Sequence, residues 1–192
     1  NKTRAALEHI DLTKTTSNSI FLNAPQGFTN TKLPYLKYSI PSIKMATGSI
    51  ILAYMGTGGI YTFWSGEANI NKVQAVHDLP EVSLHEMAHQ MGFASEDEAS
   101  YIAWLAGKDH PDKLFRYSAH YNVVWRSLNQ LWSLDSAAAN QLYRQLDSTV
   151  YSDLEISQQR WKPYRNLVQE YIIRPFSGFF LKANGQEEGI MA

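Results

Sequence analysis

The chain has 192 residues, 44% of them hydrophobic and 18% charged, with a formal net charge of −1. That balance suits one domain with a single substantial core, and it provides no basic footprint for nucleic acid. There is no cysteine, which excludes disulfides, thiolate metal sites and a cysteine nucleophile and leaves His, Glu and Asp as the strong side-chain metal ligands.

In chain order, residues 1–43 read as an irregular lead-in. A short helix is predicted over Arg4–Leu12, and the polar run Thr13 to Ser19 reads as a loop. The prolines and aromatics of Leu33–Pro41 read as extended chain. Residues 44–107 hold a small sheet and the helices that carry chemistry. Ser49–Tyr54 and Gly59–Trp64 are β-branched and aromatic runs around Gly56-Thr57-Gly58, so both are predicted as strands joined by a turn. Ser65–Asn71 reads as a loop leading to a short extended piece. Pro80 and Glu81 then mark a helix start, and Gly92 marks its stop. Ser95-x-x-Glu98 reads as a capping box that opens a second helix ending at Gly107. Residues 108–192 are predicted to be helical over Leu114–Trp132, Ser136–Leu146 and Trp161–Leu181, with breaks at Asp135, Ser148–Ser157 and Pro175. The prediction is thus an α+β chain, mostly α, forming one domain over 1–192. No apolar run reaches the roughly 18 residues needed to span a bilayer, and the chain begins at Asn1 without an initiator Met, so it is expected to be either processed or cut from something longer.

The chemistry centres on His85-Glu86-Met87-Ala88-His89. Residues four apart on a helix lie about 40° apart around the axis and one turn apart along it, so His85 and His89 can offer two imidazole nitrogens to one ion. Glu86 falls on the flank of that face, where it can reach a metal-activated water rather than the metal. Catalytic zinc usually takes three protein ligands. Glu96, Asp97 and Glu98 are the nearest acids; the capping box occupies Glu98, which makes Glu96 the freer candidate for third ligand, with Ser100 one turn further along the same face. Tyr117, His120 and Tyr121 are candidates for stabilising an oxyanion, against the alternative that aromatics at this spacing build core. His77 and His110 read as surface or loop histidines. Glu67 and Asn69 could line a cleft, and the strand Ile60–Trp64 could take an extended peptide by β-addition. Arg174, Lys182 and Glu187 receive no role.

At His85–His89 and Glu96–Ala103 the chain resembles the gluzincin metallopeptidases. That resemblance implies a zincin-like domain, zinc held by His85, His89 and Glu96, and Glu86 as general base. Ser100 stands where those enzymes usually carry Asp or Asn. From about residue 44 onward, Gly59-Ile60-Tyr61, Gly66–Asn69, the stretch from His85 to Ala99, Phe115–Ser118 and Leu181–Gln186 resemble an uncharacterised bacterial family. Its members carry amino-terminal membrane spans ahead of a zincin-like domain. This implies a membrane-anchored full-length protein with its soluble domain on the extracytoplasmic side. The expected function is a zinc-dependent peptidase acting on peptide or protein substrates. The rival expectation is a non-catalytic, metal-containing binding or regulatory module at the membrane.

Overall fold

The helix that carries the motif runs from Leu79 to Gln90. Pro80 sits in its first turn, where a missing N–H costs nothing, and Gly92 ends it at φ +99°, a conformation that side chains with a Cβ rarely adopt. Nine of its residues are buried, Glu81, Ser83, His85 and Glu86 among them, so it lies at the centre of the molecule rather than on its surface. The computed structural model describes residues 15–31, 36 and 42–165. Its elements are α1 (Ser17–Asn23), α2 (Pro25–Thr29), β1 (Ile43–Met45), α3 (Ser49–Tyr54), β2 (Gly59–Thr62), β3 (Glu67–Ile70), α4 (Leu79–Gln90), α5 (Glu96–Lys108), α6 (Lys113–Leu134), α7 (Ser136–Tyr143) and α8 (Ser148–Trp161), then a 3-10 turn at Lys162–Tyr164. The α+β, mostly α, class is as predicted. No helix among the described residues is long and apolar enough to cross a membrane.

The sheet has the order β1-β3-β2, with β1 parallel to β3 and β2 antiparallel to it; Gly59 pairs with Ile70 and Thr62 with Glu67. Ala68 and Ile70 of the central strand are buried, and α4 packs against β2 and β3 on one side and against α5 and α6 on the other. α5 buries Ala99, Ile102, Ala103, Ala106 and Gly107, the i, i+3, i+4, i+7, i+8 stripe of an amphipathic helix. Ala99, Ile102, Ala103 and Ala106 join Leu84, Met87 and Ala88 of α4 in the main core. A second cluster of Tyr117, Tyr121, Leu128, Val150 and Leu154 fixes α8 on α6.

Several local expectations change. The lead-in contains two helices: Thr16 and Ser19 form a capping box that opens α1, whose Ile20 and Phe21 are buried. Ser49–Tyr54 is a helix instead of a strand, because Ser49 turns the chain by donating to the Ala46 carbonyl (2.7 Å) while Leu52 and Ala53 reach the core. Tertiary packing overrides β propensity there. The strand that follows stops at Thr62, and Phe63-Trp64 lie in the turn before β3. The third helix of the carboxy-terminal half also shifts: Asp147 caps at Thr149 N, and Val150, Asp153 and Leu154 share a buried face, so Ser148–Trp161 is helical where a break was expected. The preceding helix is correspondingly shorter, ending at Tyr143. Ser95 is the N-cap of α5 but its side chain makes no capping bond, so the Ser95–Glu98 capping box is absent. The expected helix Arg4–Leu12, most of Leu33–Pro41, the helix over 166–181, and Arg174, Lys182 and Glu187 lie outside the described residues.

His77 and His110 lie in loops, as one of their two readings had it, but they are buried and not on the surface. His110 stacks on Phe115 (4.0 Å between centroids) and bonds to the Asn23 carbonyl (3.1 Å), pinning α1 to the α5–α6 turn. His77 lies between Asp78 and Asp153, 3.6 Å from each, and contacts Ser157 Oγ at 2.9 Å. Ser157 donates to Asp78 Oδ2 (2.7 Å), so the residue preceding α4 is tied to α8 rather than capping its own helix. Tyr117 donates to Asp153 and Tyr121 to Ser157. Removing the Tyr117 hydroxyl strands a buried carboxylate, which typically costs about 1–3 kcal/mol. Tyr117→Phe is therefore expected to lower stability in denaturant titrations by that amount while leaving metal content unchanged; metal loss at unaltered stability would contradict this placement.

Candidate metal centre

His85 and His89 stand one turn apart on α4, and the turn at Gly92 folds α5 back so that Glu96, the first residue of α5, meets them. The three side chains form the one His/Cys/Asp/Glu group among the described residues whose ligand atoms all lie within 4.8 Å of one another. His85 Nε2 is 3.1 Å from His89 Nε2 and 3.1 Å from Glu96 Oε2, and His89 Nε2 is 3.6 Å from Glu96 Oε1. Glu98 is exposed on the other side of α5.

The opposite ring nitrogens decide where the protons sit. His89 Nδ1 is 2.7 Å from the Phe93 carbonyl oxygen, which can only accept, so Nδ1 carries the hydrogen. His85 Nδ1 is 3.2 Å from Ser100 Oγ, whose own hydrogen goes to the Glu96 carbonyl at 2.7 Å; Ser100 therefore accepts from His85. In the neutral rings both Nε2 atoms are left with bare lone pairs, aimed at one another and at a carboxylate. Three such acceptors can converge only around positive charge, supplied by protons or by a metal cation.

Two imidazoles and a carboxylate are a donor set that could hold a divalent cation such as zinc. Two ligands held at about 2.0–2.1 Å by one tetrahedral ion lie roughly 3.3 Å apart, close to the observed 3.1 and 3.6 Å. His85 and His89 are largely enclosed, with 11% and 13% of their side chains exposed, whereas Glu96 exposes 41%, so the cluster opens to solvent on the α5 side. When the imidazoles are protonated on Nε2 as well, hydrogen bonds from His85 and His89 hold the Glu96 carboxyl well below the usual carboxylate range despite its partial burial. Burial alone would lower the His89 pKa, but the Glu96 and Phe93 contacts outweigh it and the net shift is upward.

Glu86 is different from these three. It is buried, its Oε2 has no hydrogen-bond partner, and burial raises its pKa from 4.5 to about 7, against the opposing pull of His85 and His89. Its other side is Gly59, at the start of β2: a Cβ there would stand 2.7 Å from Glu86 Cγ and Oε1. Gly59 is thus part of the site through the atom it lacks, a role that its place at the start of a predicted strand did not disclose. The Phe93 carbonyl was also missed; the glycine at 92 was its only signal in the sequence. Ser100 falls where the helical spacing put it.

The other candidates lie elsewhere. Tyr117 and Tyr121 have their hydroxyls committed to Asp153 and Ser157, and His120 is half-buried on α6. Glu67 pairs with Lys44 at 2.7 Å, and Asn69 donates to Thr62 Oγ1 and to the Glu67 carbonyl, so both serve the sheet.

A family model described as "Protein of unknown function (DUF3810)" matches residues 1–192. The chain belongs to that family. No curated protein and no solved structure matches it, so for this DUF3810 member the chemistry has to be read from the site itself.

A carboxyl whose folded pKa is raised contributes stability that is fully present below its unfolded value and is lost as pH rises through the folded one. For Glu86 that window runs from 4.5 to about 7. In chelated protein, Glu86→Gln is expected to match wild type near pH 4 and to exceed it at pH 8 by on the order of 2–3 kcal/mol; thermal melts at the two pH values, with a difference that does not grow, would contradict the burial of this charge. Zinc affinity separates the acids. Glu96→Ala is expected to weaken binding steeply and Glu98→Ala to leave it near wild type, and isothermal titration with the reverse order would move the ligand to Glu98.

Proposed function

We propose that this chain is a zinc-dependent peptidase, with His85, His89 and Glu96 as the metal ligands and Glu86 as the general base. What carries the reading is the Glu86 carboxylate, buried with one oxygen unpartnered beside three converging ligand atoms. A metal site that only staples two helices gains nothing from such a group, whose burial is unfavourable at neutral pH. Two histidines from one helix and a glutamate from the next also form the ligand set of the gluzincin metallopeptidases, which the sequence resembles.

Zinc held by these residues would supply Lewis acidity toward a peptide carbonyl and toward water. The protein's own part is proton transfer. Glu86 accepts a proton from the attacking water onto its carboxylate and later delivers it to the amine nitrogen released when the peptide C–N bond breaks. A pKa raised to about 7 suits a group that must both take and return a proton near neutral pH. Ser100 and the Phe93 carbonyl fix both imidazoles in the tautomer that presents Nε2. Among the described residues β2 is an edge strand, and its first residue touches Glu86. An extended substrate pairing along that edge would bring its backbone to the base. The same reading includes a full-length protein anchored in a membrane, with this domain on the extracytoplasmic side.

Protein purified without chelator is expected to carry about one zinc per chain, with His85→Ala and His89→Ala nearly empty by elemental analysis. Glu86→Gln should keep its zinc and lose about a hundredfold or more in turnover on a peptide selected by wild type from a library. Full turnover in Glu86→Gln would refute the mechanism. Zinc-loaded wild type that cleaves nothing in the library would leave the non-catalytic metal module as the better description.

A further inference from the structure

The residue that follows the second histidine has no role in the chemistry above, yet its contacts are specific. Gln90 is the last residue of α4, and its side-chain Nε2 donates to the Gly66 carbonyl at 2.7 Å and to the Ser42 carbonyl at 2.9 Å. Gly66 lies in the β2–β3 turn, closed by its own N–H to Thr62 O (2.8 Å), and Ser42 immediately precedes β1. One amide group therefore spends both hydrogens joining α4 to the sheet at the end away from Gly59.

Glu86 and Gln90 are four residues apart, so they form a stripe on α4 about 100° from the stripe of His85 and His89. Glu86 meets the first residue of β2, and Gln90 meets the turn that follows its last. β2 is thereby seated on α4 at both ends, one contact made by the proposed base and the other by Gln90. We propose that Gln90 is a positioning residue that sets the height of the edge strand over the metal centre, so that it governs how a peptide is held and not how its bond is broken. This rests on the peptidase reading for its consequence, though not for the clamp itself. A weaker hold on the turn lets β2 move relative to Glu86 without disturbing His85, His89 or Glu96, whose orienting partners are Ser100 and Phe93.

The test uses Gln90→Glu, which keeps the size of the side chain but sets a carboxylate against two carbonyl oxygens, and Gln90→Ala, which removes the contacts. Three quantities are measured in the zinc-loaded chain: zinc content, kcat and KM on a peptide cleaved by wild type, and amide hydrogen exchange over residues 59–70. Both variants should hold wild-type zinc, exchange faster through β2 and its turn, and raise KM about tenfold, the loss of two hydrogen bonds between uncharged groups, at little-changed kcat, with Gln90→Glu the more affected. A general structural role would lower thermal stability and leave KM and the exchange pattern of the folded protein alone; that outcome, or a fall in kcat at unchanged KM, overturns the proposal. Should wild type cleave nothing, the peptidase reading fails separately and exchange still decides: unaltered exchange in Gln90→Glu refutes the clamp, and selectively faster exchange in residues 59–70 upholds it.

Discussion

Two imidazole nitrogens and a carboxylate brought to within 3.1–3.6 Å of one another are the constraint on which the rest of the structure depends. His85 Nε2, His89 Nε2 and the Glu96 carboxylate repel one another unless positive charge sits among them. Holding them there takes work from distant parts of the chain. Gly92 reverses the backbone so that α5 returns beside α4, the buried small residues Ala99, Ala103 and Ala106 let the two helices approach, and Ser100 and Phe93 lock the rings. None of these residues is a ligand, and each fixes a degree of freedom that a ligand would otherwise have.

The site was more legible in the sequence than the fold around it, for a physical reason. A metal pair on a helix is a local pattern: the spacing of His85, Glu86 and His89 follows from 3.6 residues per turn, and Glu96 with Ser100 follows from the same period once a turn at Gly92 is granted. Ser49–Tyr54 misled because Ile50, Ile51 and Tyr54 favour strands locally, while the decision was made by Ser49 bonding to the Ala46 carbonyl and to Lys72 N, 23 residues away. The Ser95–Glu98 box misled in the opposite direction. Its residues suit a cap, yet Ser95 makes no capping bond. It still led to Glu96, because Glu98 is exposed and Glu96 is the acid that meets the histidine pair. The buried histidines His77 and His110 could not be told from surface ones, because their burial comes from partners 80 and 87 residues distant, Ser157 and Asn23.

Set beside the other buried acids, Glu86 is the exception. Glu81 accepts from Asn122 at 3.0 Å, Asp78 accepts from Ser157, and Asp153 accepts from Tyr117. Burial opposes ionisation at Glu81 and Asp78 too, but each of these carboxylates has been given a donor, as buried polar groups in a stable fold generally are. Glu86 Oε2 has none, although it sits on a helix with nine of its twelve residues buried. A fold able to satisfy the buried carboxylates of Glu81 and Asp153 and the half-buried one of Asp78 from α6 and α8 has the means to satisfy another. Glu86 is instead left with one oxygen open and with Gly59 rather than a larger residue against it, which is the arrangement on which the proposed role of base rests.

The order of residues in His85-Glu86-x-x-His89-Gln90 then reads as two stripes instead of one motif with a tail. The first stripe faces Glu96 and fixes where a cation can be held. The second faces the sheet and fixes where the edge strand lies, through Gly59 at one end and Gly66 at the other. Because both stripes belong to one rigid helix, buried along most of its length, the distance between cation site and strand edge is set by a turn of α-helix and not by loop packing. A helix is stiffer than any loop that could do the same work, so the spacing of the two stripes is held within narrow limits. It also explains why glycine recurs where the strand and its turn meet the helix: at Gly59 a side chain would displace the carboxylate, and at Gly66, with φ at +69°, a Cβ would strain the turn whose carbonyl Gln90 holds.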